Sequence, residues 1–206
     1  SKKDFSLKNI KDISNSELLN ENTIKFLEWF SKYNLVPLGM TFKLHLLSNE
    51  IVECYGKDVY KYFNNDSKPK KFIFSEEQKK AFQNMNKNRD CFKVHLLQGT
   101  TGSGKTLVYF KSIMERISQG KQVLILLPEI GLTYEFEKKF KEYFGFNAAV
   151  WHSSITKKNK KIIWSGLANG KIRVVIGARS ALFLPFKNIG EIIVDEEHDQ
   201  SFKQDE

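Results

Sequence analysis

Cysteine is nearly missing from this chain: only Cys54 and Cys91 occur in 206 residues, far apart and with no second thiol or histidine at ligand spacing. Neither a zinc site nor a disulfide framework is expected, and both residues read as plain reduced cysteines. Long apolar runs are missing too. No stretch approaches the roughly 20 apolar residues needed to cross a bilayer, and the start, Ser1-Lys2-Lys3-Asp4, has no hydrophobic signal segment. These absences argue against a membrane role, and a cytoplasmic protein is expected. No internal repeat is visible. Acidic residues are outnumbered, 24 against 33 basic ones, leaving a net charge of +9. That surplus favours a polyanionic partner, because each lysine or arginine laid against a phosphate releases a condensed counterion. Charge alone is a weak signal, since runs such as Lys157-Lys158-Asn159-Lys160-Lys161 are more often solvated helix faces than binding sites.

What is present reads as globular. Apolar residues make up 41% and charged residues 28%, near the averages for soluble domains, so neither disorder nor a fibrous repeat is indicated. Three zones separate by pattern. In residues 1–65, Leu18, Leu19, Ile24, Leu27, Phe30 and Tyr33 recur at helical spacing up to Asn34. Ser14 with Glu17 fits a capping box at the start of that helix, and Ser16 is the other candidate cap. A second helical stretch at 41–47 follows Pro37 and Gly39, which suggests a small helical or winged-helix-like region. Residues 66–71 are polar and lysine-rich with Pro69, a linker composition. From 72 to 206, apolar runs at 94–97, 122–127, 148–151, 172–176 and 191–194 read as strands, with helical patterns at 105–118, 132–144 and 160–168. Strands alternating with helices of this length imply an α/β fold with a parallel sheet covered on both faces. Ligands of such sheets sit at the carboxyl ends of the strands.

The sharpest motif is Gly99-Thr100-Thr101-Gly102-Ser103-Gly104-Lys105-Thr106, a full match to G-x-x-x-x-G-K-[ST], placed after the expected strand 94–97 and opening a helix. Glycines let such a loop wrap closely around a phosphate, while its N–H groups and the helix start attract the anion. Lys105 then reaches the β/γ-phosphates of ATP and Thr106 ligates Mg²⁺. The partner motif is Glu191-Ile192-Ile193-Val194-Asp195-Glu196-Glu197-His198, an apolar strand ending in acids. Asp195 is the candidate holder of Mg²⁺, and Glu196 the candidate base for the water that attacks the γ-phosphate. His198, three residues past Asp195, is a candidate link between hydrolysis and movement. The whole reading requires Lys105 and Asp195 to converge on one magnesium nucleotide.

Asp195-Glu196-Glu197-His198 is similar to the second motif of superfamily 2 helicases, and Gln78, in Phe74-Ser75-Glu76-Glu77-Gln78, resembles the glutamine with which they read adenine. Three further stretches narrow the likeness: Leu127-Pro128-Glu129-Ile130-Gly131-Leu132-Thr133, the run from Gly177-Ala178-Arg179-Ser180 to Pro185-Phe186, and Asp195 to Asp199 followed by Ser201-Phe202-Lys203-Gln204. Together they resemble the family of primosomal replication-restart DNA helicases, the PriA or primosomal protein N′ family. His152-Ser153 with Trp164, Gly166 and Gly170 fits that family's spacing, and Phe26-Leu27-Glu28-Trp29 with Pro37-Leu38-Gly39 resembles its winged-helix region. Tyr134 stands where the family usually has proline, and Ser154 where glycine is more usual.

The resemblance implies a RecA-like first motor domain at 72–206, driven by ATP and Mg²⁺ and acting on forked or single-stranded DNA beside other primosome proteins. It implies that Gly131 and Thr133, then Arg179 and Ser180, face the phosphates of one DNA strand. The physics agrees: Thr133 opens a helix whose free N–H groups suit a phosphate, and Arg179 supplies a bidentate fork. Phe202 and Lys203 resemble the start of an aromatic-rich segment that couples DNA to the ATP site; ring stacking beside a cation suits a single strand. The family's zinc-binding module, second RecA-like domain and trans-acting arginine finger are expected beyond Glu206, so no zinc is expected within this chain. A monomer that binds ATP weakly, hydrolyses it poorly and unwinds nothing is expected of residues 1–206 alone. Two other readings remain: another superfamily 2 nucleic-acid translocase, or a nucleotide-dependent assembly module that recruits partners without moving along DNA.

Overall fold

The computed structural model describes residues 19–46, 69–87, 91–128 and 134–202. Two helices, α1 (Glu21–Tyr33) and α2 (Leu38–Leu46), come first, and α3 (Glu76–Met85) precedes the glycine-rich loop. The loop opens α4 (Lys105–Ser118), after which β1 (Gln122–Leu126), α5 (Tyr134–Phe144), β2 (Ala149–Trp151), α6 (Lys157–Ala168), β3 (Val174–Gly177) and β4 (Ile189–Val194) alternate. Short 3-10 turns follow β3 at Arg179–Phe183 and β4 at Gln200–Phe202. The strands form one parallel sheet in the order β2-β3-β1-β4.

Both faces of that sheet are covered, as the near-continuous apolar runs of its strands require. On one face Trp164 and Leu167 of α6 pack on Leu124, Leu126 and Val175. On the other, Phe110 and Ile113 of α4 and Phe140 and Phe144 of α5 pack on Val123, Ile125, Val174 and Ile176. Phe110 is fully buried and meets Phe140 and Phe144 edge-on, with centroids 5.7 and 5.2 Å away, the geometry that ring quadrupoles favour. β1 is buried at every position, with a strand on each side.

The strand expected at 94–97 does not form. Residues 92–97 have no regular structure, and Phe92, Val94 and Leu96 are 93%, 84% and 79% exposed. An interior parallel strand needs apolar residues on both sides, whereas Lys93 and His95 place polar groups between those three. β4 is consequently an edge strand, with Ile189, Ile192 and Val194 partly exposed.

The first helix also starts later than its hydrophobic spacing suggests. Asn20, whose side chain accepts from the Thr23 N–H at 2.8 Å, caps it, so Leu19 lies outside, and the candidate caps Ser14 and Ser16, with Glu17, lie outside the described residues. Asparagine is among the strongest N-caps. α2 begins directly after Pro37, earlier than the expected residue 41. α5 begins at Tyr134 and α6 at Lys157, the latter capped by Thr156.

α1 and α2 are docked on the sheet domain. Phe26 and Phe30 pack on Phe183 at 5.8 and 4.9 Å, and Asn20 Nδ2 donates to the Phe186 carbonyl at 3.2 Å. His45 Nδ1 donates to the Phe183 carbonyl at 2.8 Å, and Trp164 Nε1 donates to the His45 carbonyl at 2.9 Å. Within the expected linker, Lys70 lies on α5, its N–H bonded to the Glu142 carbonyl at 2.9 Å.

Burial of His45 holds its pKa below the usual 6.5, and the bond to the Phe183 carbonyl opposes this only in part. The unfolded chain therefore takes up a proton first as pH falls. The stability that the neutral ring contributes is present above pH 6.5 and is lost below it, as pH falls towards the depressed folded value. His45→Gln should lose less stability between pH 7.5 and 5.5 than the parent, by up to about 1 kcal/mol. Denaturant midpoints at the two values measure the difference; equal losses would show that His45 is not the titrating group.

Candidate nucleotide-binding site

The glycine-rich loop is built from local conformations that few other residues supply. Gly102 and Gly104 both take left-handed backbone angles, φ +82 and +84, which cost a side chain about 1 kcal/mol or more. A Cβ on Gly104 would also collide with the side-chain amide of Gln78. The start of α4 has no side-chain cap, which suits anion recognition at a helix start. Lys105 lies across this loop, its ammonium donating to the carbonyls of Gly99 at 2.6 Å and Thr100 at 3.3 Å.

Gln78 meets the loop from outside. Ser75 and Gln78 form a capping box that starts α3, and Gln78 Nε2 donates to the Ser103 carbonyl at 2.9 Å. One side chain therefore fixes a helix end and touches the phosphate-type loop. Thr101 and Ser103 are exposed on the loop itself.

Across the gap stands the end of β4. The Asp195 N–H donates to the Leu126 carbonyl at 3.0 Å, extending the ladder by one residue. Tyr109, buried on α4, donates its hydroxyl to Asp195 Oδ2 at 2.7 Å. Burial foremost, then the Asp195 charge, pushes the Tyr109 pKa above its ordinary value of 10, so the phenol stays a donor. Thr106 lies beside the same phenol and opposes the rise of its pKa only in part. Tyr109 belongs to neither motif, although it lies three residues past Thr106 on the same helix face, the spacing that brings side chains together.

The loop after Asp195 is strained. Glu196 takes φ +52, a left-handed angle unusual for a residue with a side chain. Its N–H is held by Asp195 Oδ1 at 3.1 Å and its carbonyl by the Asp199 N–H at 2.9 Å. The Glu196 carboxylate is exposed, 3.5 Å from His198 Nε2.

Because all four strands are parallel, their carboxyl ends share one rim. Gly177 ends β3 there, where a Cβ would come within 2.8 Å of both Ala181 and the Trp151 carbonyl. That close approach turns the chain into the 3-10 segment that exposes Arg179 and Ser180. Phe202 is half-buried against the core cluster that contains Trp164, so its ring anchors the last described turn. Gly131, Thr133 and Lys203 lie outside the described residues.

The residues present fit a magnesium nucleotide. The glycine cradle is one that side chains would fill, and a lysine lies across it. Among the described residues no group of three or more His, Cys, Asp or Glu could hold a metal. Thr106, at the start of α4, and Asp195, held by the Tyr109 phenol of the same helix, offer two oxygens, and magnesium at phosphate sites characteristically takes only one or two protein ligands beside phosphates and water.

Fold and site together define a RecA-like module of the phosphate-loop class. The profile of the DEAD/DEAH box helicases matches residues 75–206, and the chain belongs to that family. Among curated proteins, it is similar to the Replication restart protein PriA of Rickettsia conorii, 44% identical over 206 residues, covering 97% of this chain and 30% of the relative. The protein of that name from Bacillus subtilis is 44% identical over 134 residues, 64% of this chain and 17% of the relative. The one from Haemophilus influenzae is 50% identical over 113 residues, 55% and 16% of the two chains. The chain thus spans about 30% of the length of the Rickettsia conorii relative. Among the described residues no helix is long and apolar enough to cross a membrane.

Proposed function

We propose that this chain is the ATP-binding motor domain of a cytoplasmic replication-restart helicase, which translocates 3′ to 5′ on single strands at forks with other primosome proteins. The observation that carries the reading is the hydrogen bond from Tyr109, on the helix that the glycine loop opens, to Asp195 at the carboxyl rim of the sheet. The names of the relatives support the replication-restart role.

In this reading Lys105 and the loop N–H groups bind the triphosphate, Gln78 reads adenine, and Thr106 and Asp195 hold the magnesium. The bound magnesium nucleotide supplies the phosphoryl group and neutralises charge that develops on it. Glu196 takes the proton of the attacking water at its carboxylate, and neighbouring His198 links that carboxylate to the nucleic acid. The exposed Arg179 and Ser180 contact the DNA strand, a role that the family likeness extends to Gly131, Thr133 and Lys203, whereas the Phe202 ring, packed on the core, is not free to stack on a base.

ATP hydrolysis by the full-length protein tests this reading. Turnover should rise with a branched DNA bearing a 3′ end and not with RNA; stimulation by RNA alone would favour another superfamily 2 translocase. Lys105→Ala should abolish translocation. A variant that still recruited its partners, in a protein whose parent showed no translocation, would point to an assembly module.

A further inference from the structure

Along α4, Thr106, Tyr109, Ser112 and Arg116 occupy one face, and along β4, Glu191 and Asp195 point towards it. Tyr109 meets Asp195 at one end of this seam. At the other, Ser112 Oγ donates to Glu191 Oε1 at 2.7 Å, with Arg116 Nε 4.0 Å from Glu191 Oε2. The helix that starts at the glycine loop and the strand that ends at Asp195 are therefore fixed in register by polar side chains inside an otherwise apolar contact.

The geometry points to Tyr109 as a positioning residue for the magnesium site, a deduction that rests on the nucleotide-binding reading above. Its phenol has one proton and gives it to Asp195 Oδ2 at 2.7 Å. Asp195 is held at both oxygens, Oδ2 by the phenol and Oδ1 by the Glu196 N–H. Asp195, one of the two residues assigned to the cation, is thereby oriented by a buried side chain that belongs to neither motif. Outer-sphere partners of this kind fix ligand direction and commonly contribute about 10-fold or more to metal affinity.

Binding of a fluorescent ADP analogue to the full-length protein, titrated with magnesium chloride, tests this. Tyr109→Phe should raise half-saturating Mg²⁺ about 10-fold and leave analogue affinity in EDTA within about twofold. Tyr109→Met, lacking ring and hydroxyl, should show the same Mg²⁺ shift with a lower melting temperature. Ser112→Ala, which cuts the far end of the seam, should lower the melting temperature without moving the Mg²⁺ midpoint. An unchanged Mg²⁺ midpoint in Tyr109→Phe, or an equal loss of affinity with and without Mg²⁺, would overturn the positioning role while the nucleotide site stood. A parent whose analogue binding ignores Mg²⁺ would overturn both.

Discussion

Glu196→Gln is expected to slow ATP hydrolysis by the full-length protein by about 10²–10⁴-fold, the range that a positioned general base supplies. ATP affinity should stay within about threefold, because the amide has the same shape and the change removes an interaction made only in the transition state. The backbone around Glu196 makes the prediction sharp. Its left-handed φ of +52 is held by the Asp195 carboxylate on one side and the Asp199 N–H on the other. Glutamine keeps these backbone bonds, so the loop should not relax. The only loss is a carboxylate able to take a proton, beside His198 at 3.5 Å. Single-turnover hydrolysis with equilibrium ATP binding measures both halves, and hydrolysis within about twofold of the parent would remove Glu196 from the role of base.

Glu196 and Tyr109 differ in how far residue order alone reveals them. Motif spacing singles out Glu196, since an apolar run ending in acids after a phosphate loop has few other readings. Tyr109 is one more aromatic residue in an amphipathic helix, and only the approach of β4 gives its hydroxyl a partner. Gln122 behaves in the same way: it opens an apolar strand, is fully buried, and its amide binds the Leu167 and Ile172 carbonyls at 3.0 and 2.8 Å. Satisfied buried polar groups are set by which chain ends meet, and no local periodicity encodes that. α4 is legible to the residue because a glycine loop starts it and its apolar stripe ends before Gly120. The alternation at 92–97 misleads, because a strand exists only where a neighbour accepts its hydrogen bonds, and here β4 is unpaired on its outer side.

Trp164→Ala should lower stability by about 3–5 kcal/mol in denaturant unfolding, a typical cost for a fully buried aromatic. The expected loss has two parts that act in different places. The ring fills the cluster of Leu124, Leu126 and Trp151 under the sheet, so a cavity would open in the motor domain itself. Its Nε1 also donates to the His45 carbonyl at 2.9 Å and its ring lies edge-on to His45 at 6.2 Å, so the same residue fastens α2 to that domain. Trp164→Phe separates them, keeping most of the ring and leaving the His45 carbonyl without its donor, at about 1–3 kcal/mol. Hydrogen exchange in the phenylalanine variant should therefore quicken in α1 and α2 before it quickens in β1, whereas the alanine variant should accelerate exchange in both. Equal exchange in α1, α2 and β1 in the phenylalanine variant would mean that the helical pair and the sheet unfold as one unit, with Phe26, Phe30 and Phe183 sufficient to hold them together.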